Sequence, residues 1–145
     1  MTEPHKSRAL SLPTLSPVRL DEILRDATPE FLVELAALFV RDVERRLKNI
    51  ETSVRERDPR QTALGAHTVQ GAAASLGVLR MRSLAEALEA DAARLDWPAV
   101  DQSLDRLLAE FGYVRRMLQT SDIVLAAPRV PSDIVILNDE LKAGG

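Results

Sequence analysis

The sequence predicts an all-α protein: an antiparallel up-down four-helix bundle with a short N-terminal capping helix and an irregular C-terminal tail. Three observations carry that expectation. Aromatic residues make up only 3% of the 145 residues, while alanine, leucine, valine and arginine dominate, a composition suited to closely packed helices rather than sheets. Four of the eight prolines follow residues placed where helices should begin, Ser16-Pro17, Thr28-Pro29, Asp58-Pro59 and Trp97-Pro98. Apolar residues then recur at helical spacing behind those starts.

The elements follow in order. Residues 1–15 read as a tail, 16–120 as the bundle and 121–145 as a second tail. The first helix, about Pro17 to Ala27, is capped by Ser16, and Val18, Ile23 and Leu24 suggest a lid across one end of the bundle. The second, Pro29 to about Val54, starts behind Thr28 and sets Phe31, Leu35, Leu38, Phe39, Val43, Leu47, Ile50 and Val54 toward a core. The third runs from Pro59, behind Asp58, to about Leu76, and Gly77 suits the left-handed position that ends a helix. The fourth, about Leu79 to Leu95, offers Leu84, Leu88, Ala92 and Leu95. The fifth, Pro98 to about Gln119, aligns Val100, Leu104, Leu107, Leu108, Phe111, Val114 and Leu118, although Trp97 is no capping residue. Linkers of a few residues between long helices imply antiparallel neighbours. Beyond the bundle, the similar strings Ser121 to Leu125 and Ser132 to Ile136 are β-branched enough to be extended. They fit either a tail that touches the bundle or a short docking peptide, and the residues do not choose.

Composition excludes several function classes. Net charge is −3, with 19 basic and 22 acidic residues interspersed, so the concentrated positive field that a nucleic-acid backbone demands is missing. There is no cysteine, hence no disulfide, thiolate nucleophile or cysteine metal site. The start lacks a secretory pattern and no run approaches the ~20 apolar residues of a membrane span, so the chain reads as soluble and cytoplasmic. No Glu-x-x-His pair supports a di-iron bundle, and no G-x-S-x-G supports a serine hydrolase.

The chemistry concentrates in Ala66 to Gly77, A-H-T-V-Q-G-A-A-A-S-L-G. Its His67 is one of two histidines, and the other, His5, lies in the polar N-terminus. On a helix, Arg60, Ala63, His67, Gln70, Gly71 and Ala74 share one stripe, while Ala66, Val69, Ala73 and Leu76 form a more apolar one. His67 therefore stands beside the core stripe. Gly71 follows one turn later, and a mid-helix glycine costs roughly 1 kcal/mol relative to alanine. Close approach of a partner to the imidazole would explain it.

This pattern resembles the histidine-containing phosphotransfer (HPt) family, whose active helix carries histidine, usually lysine three residues later, and then glycine. The matching residues are His67, Gln70 and Gly71, followed by Ala72, Ala73, Ala74, Ser75, Leu76 and Gly77, within a helix pattern running from about Thr28 to Gln119. Gln70 replaces the family's lysine, offering a hydrogen-bond donor without positive charge.

The resemblance implies that His67 is the phosphoacceptor, Gln70 a donor to the phosphoryl oxygens and Gly71 the clearance for a partner, with Ala63, Ala74 and Ser75 keeping the approach open. A family position 22 residues past the histidine, here Glu89, is implied to accept from the second ring nitrogen and fix the tautomer. Glu89 reads equally well as a solvated residue paired with Arg82 or Arg94. Arg80 and Arg82 lie where they could offset the charge missing at Gln70, or simply face solvent.

The implied partners are a response-regulator receiver domain and a hybrid sensor histidine kinase. Mg²⁺ belongs to the receiver and no cofactor to this chain, which is expected to be monomeric. No G-x-x-x-x-G-K-[ST] loop is present, so autophosphorylation from ATP is not expected. The competing reading is a module of the same fold that regulates a receiver or kinase without carrying phosphate. The chain also reads as a domain that a larger kinase could contain.

Overall fold

The computed structural model describes Thr14 and residues 16–119. The two similar strings of the C-terminal tail, at Ser121 to Leu125 and Ser132 to Ile136, lie outside the described residues, as does His5.

The described residues form five helices: α1 (Pro17–Asp26), α2 (Pro29–Arg55), α3 (Pro59–Leu76), α4 (Leu79–Ala93) and α5 (Trp97–Gln119). Their starts follow the capping logic. The Ser16 hydroxyl accepts from the Arg19 N–H, Thr28 from Phe31 and Asp58 from Gln61, each satisfying an amide that has no partner within its helix. At α5 the boundary differs from expectation by one residue. Asp96 is the cap: its Oδ1 accepts from Ala99 N–H at 3.2 Å and its carbonyl from Val100 N–H at 2.8 Å. Trp97 is therefore the first helical residue rather than a failed cap. At the other end of α3, Gly77 adopts φ 77°, and the Gly77 and Val78 amides donate to the carbonyls of Ala74 and Ala73. That left-handed closure turns the chain straight into α4.

Each long helix packs against two others, α2 on α3 and α5, and α4 on α3 and α5, closing an antiparallel four-helix bundle. Its core takes Leu47, Ile50 and Val54 from α2, Ala66, Val69 and Ala73 from α3, Leu84 and Leu88 from α4, and Leu107, Phe111 and Val114 from α5. Three predicted core positions fail. Phe31 and Leu38 are exposed because the buried stripe of α2 runs instead through Leu32, Ala36, Phe39, Val40 and Val43. Leu95 is also exposed, since α4 ends at Ala93 and Leu95 turns the chain with φ 59°.

The first helix lies at the α3–α4 turn. Ser16 N–H donates to the Gly77 carbonyl at 2.7 Å, Leu79 N–H to the Thr14 carbonyl at 2.8 Å, and Arg19 Nε to the Ser75 carbonyl at 2.7 Å. Ile23 packs against the core as a lid residue should, whereas Val18 is exposed. Among the described residues, no helix is long and apolar enough to cross a membrane.

Candidate functional site

His67 sits in the middle of α3, and the same turn that buries Ala66 and Val69 turns its ring outward, with the side chain 66% exposed. Antiparallel pairing with α4 sets the rest of the site. Nδ1 of His67 lies 3.3 Å from Oε1 and 3.2 Å from Oε2 of Glu89. A carboxylate only accepts hydrogen bonds, so this contact assigns the proton to Nδ1 and leaves the lone pair on Nε2. The structure thus brings the two predicted residues together. Of the two arginines considered as alternative partners for Glu89, Arg82 and Arg94, the second bonds Asp91.

Three residues forward on α3 and three back on α4, the register repeats. Gln70 is half-buried, and its Nε2 donates to Oε2 of Glu86 at 3.2 Å, while its Oε1 is buried without a hydrogen-bond partner among the described residues. Its amide is drawn into the α3–α4 seam, so the geometry does not hold it ready over the imidazole. Glu86 is a site residue that the sequence does not single out. Only its position three residues before Glu89, in step with Gln70 and His67, could have marked it.

Gly71 is exposed, and a Cβ built there would meet nothing within 4 Å among the described residues. The fold itself does not require glycine at this point. Ala74 and Ser75 are exposed and Ala63 is half-buried, so the surface beyond His67 is lined by short side chains. Leu64, one turn before the histidine, is an exposed apolar neighbour that the helical pattern alone did not bring forward. A different glycine of α3 does have a packing reason: a Cβ on Gly65 would lie 2.6 Å from Ile50 Cγ1 of α2.

The nearby arginines do not supply the missing charge in the same way. Arg80 is ion-paired with Glu110 of α5 at 3.5 Å, and Glu110 also accepts from the Thr14 hydroxyl. Burial pushes the Glu110 carboxyl above the ordinary carboxylate range, with Arg80 and Thr14 opposing it. Arg82 is exposed on α4.

A four-helix bundle that presents one outward imidazole, oriented from behind by a carboxylate, defines a class of protein built to use that ring's free nitrogen. Residues 34–121 match the model of the Hpt domain, and the chain belongs to that family. It is 25% identical over 104 residues to pseudo histidine-containing phosphotransfer protein 2 of Oryza sativa subsp. japonica, covering 70% of this chain and 69% of that protein. Its fold is similar to that of histidine-containing phosphotransfer protein B (HptB) from Pseudomonas aeruginosa PAO1. There the TM-score is 0.70 at 23% identity, covering 77% of this chain and 96% of the other. It is likewise similar to phosphotransfer protein MtHPt2 from Medicago truncatula, with a TM-score of 0.70 at 19% identity over 97% and 90% of the two chains.

Proposed function

We propose that this protein is a histidine phosphotransfer protein of a multistep two-component phosphorelay, carrying a phosphoryl group on His67 between aspartates of receiver domains. The observation that carries the reading is the Glu89 contact at Nδ1, which leaves Nε2 of an exposed ring as the nucleophile. Family membership supports the same role.

In the forward step, the Nε2 lone pair attacks the phosphorus of a receiver's aspartyl phosphate. The N–P bond forms as the O–P bond breaks, and the electron pair leaves with the aspartate carboxylate. Glu89 holds Nδ1–H throughout, so the ring keeps its orientation and the phosphorylated imidazole retains that proton. Discharge to a second receiver reverses these bond changes. Mg²⁺ held by the receiver's own carboxylates supplies electrostatic stabilisation of the transferring group.

The partners are accordingly a response-regulator receiver and a hybrid sensor histidine kinase, with Gly71 and the short side chains around it as the clearance. The carrier works as a cytoplasmic monomer and takes its phosphoryl from protein donors rather than from ATP. Incubation with phosphorylated receivers, followed by intact-mass analysis, tests this. One acid-labile, base-stable phosphoryl group is expected on the wild type and none on His67→Gln. Failure of the wild type to be modified across a panel of receivers, or undiminished signalling by His67→Gln, would overturn the reading.

A further inference from the structure

Resting on that reading, we propose that Glu86 is a positioning residue that lowers the hold of His67 on its phosphoryl group, making this chain a ready donor to the next acceptor. Two features of the seam lead there. Glu86 takes the Gln70 amide N–H at 3.2 Å, so the neutral donor that stands three residues after the histidine is drawn toward α4. It also stands one helical turn from Glu89, itself in contact with the ring, so a second carboxylate stands one turn along α4 from the one that meets a histidine that would carry a dianionic group.

Like charges repel, and the half-exposed seam screens that repulsion only in part. The repulsion acts on the phosphorylated state alone. It therefore shifts the equilibrium of transfer without needing any change in the fold. In the discharging step, the N–P bond breaks, its electron pair returns to Nε2, Nδ1 keeps its proton and the phosphoryl passes to the acceptor. Glu86 touches none of the reacting atoms and acts through Gln70 and through its charge.

The test uses the whole chain and a small-molecule donor, so that it does not depend on any receiver. Phosphoimidazole is equilibrated with the protein in the presence of imidazole, and the partition of phosphoryl between His67 and imidazole is read by intact mass. Glu86→Gln is expected to shift the partition toward phosphohistidine by about fivefold at low ionic strength. The gain should shrink as salt rises from about 0.01 M to about 1 M and the screening length falls from about 30 Å to about 3 Å. Glu86→Asp, which keeps the charge, should stay near wild type. Gln70→Lys should gain more in the Glu86→Gln background than alone, because Glu86 otherwise pairs with the new ammonium.

A partition unmoved by Glu86→Gln at low salt, or moved equally at every ionic strength, would overturn the proposal. A chain that equilibrates with phosphoimidazole as expected yet exchanges with no receiver would instead sink the relay role while leaving the charge effect in place.

Discussion

Two carboxylates on α4, Asp91 and Glu89, stand two residues apart and meet opposite circumstances. Asp91 is fully buried on the side toward α5, where Ser103 Oγ donates to its Oδ2 at 2.6 Å and Arg94 pairs with its Oδ1. Glu89 is partly exposed on the side toward α3, where it meets the imidazole of an exposed histidine. The first holds elements of the fold together, because a buried charge stripped of its partners is costly. The second orients a ring whose other nitrogen remains available. Charge alone does not separate the two roles; burial and the nature of the partner do.

The contrast breaks most visibly at the buried carboxylate. Asp91→Ala should destabilise the bundle by about 2–3 kcal/mol in chemical denaturation, leaving Ser103 without its acceptor. Phosphoryl acceptance per folded molecule should be retained. At the surface carboxylate the pattern should invert. Glu89→Ala should alter stability by less than about 1 kcal/mol, as expected for a solvated pair, yet slow phosphoryl transfer by about tenfold or more. Glu89→Gln, whose amide oxygen still accepts from Nδ1–H, should lose less when transfer rates from a phosphorylated receiver are measured side by side.

Gly71 sharpens the comparison further. Since an added Cβ meets nothing within 4 Å among the described residues, Gly71→Ala should stabilise α3 by about 0.5–1 kcal/mol while weakening exchange with a receiver. Thermal unfolding and transfer rates, measured on the same sample, check both halves. A gain in stability with no loss of exchange would remove clearance as the reason for the glycine.

The smallest effect is expected at Glu110. Burial raises its folded carboxyl above the unfolded value, so ionisation is harder in the folded state. Below the unfolded value both states are protonated and Glu110 behaves like glutamine. As pH rises past the unfolded value and through the folded one, wild type should lose stability relative to Glu110→Gln. Denaturation of the pair between about pH 4 and about pH 7 gives that difference directly.

Much of the fold was legible because its boundaries are written in local chemistry. Ser16, Thr28 and Asp58 cap where their side chains predict, and Gly77 closes α3 in the left-handed conformation that favours glycine. The α5 start departs from expectation because Pro98 occupies the second helical position rather than the first, with Asp96 capping a helix that begins at Trp97. In α2, consecutive apolar residues Phe31, Leu32 and Val33 offer more than one apolar stripe, and only packing selects Leu32. The outward setting of His67 could be read from its place beside Ala66 and Val69. Its contact with Glu89 came from family resemblance rather than from spacing. Glu86 gave no signal because an acidic residue on a helix looks the same in sequence whether it faces water or, as here, a glutamine on the neighbouring helix.

The most direct measurement is the position of the phosphoryl group on the ring. Combined ³¹P and ¹⁵N NMR of the receiver-phosphorylated, isotope-labelled chain should place it on Nε2 of His67, with Nδ1 still protonated against Glu89. Phosphorylation at Nδ1, or at a residue other than His67, would contradict the account.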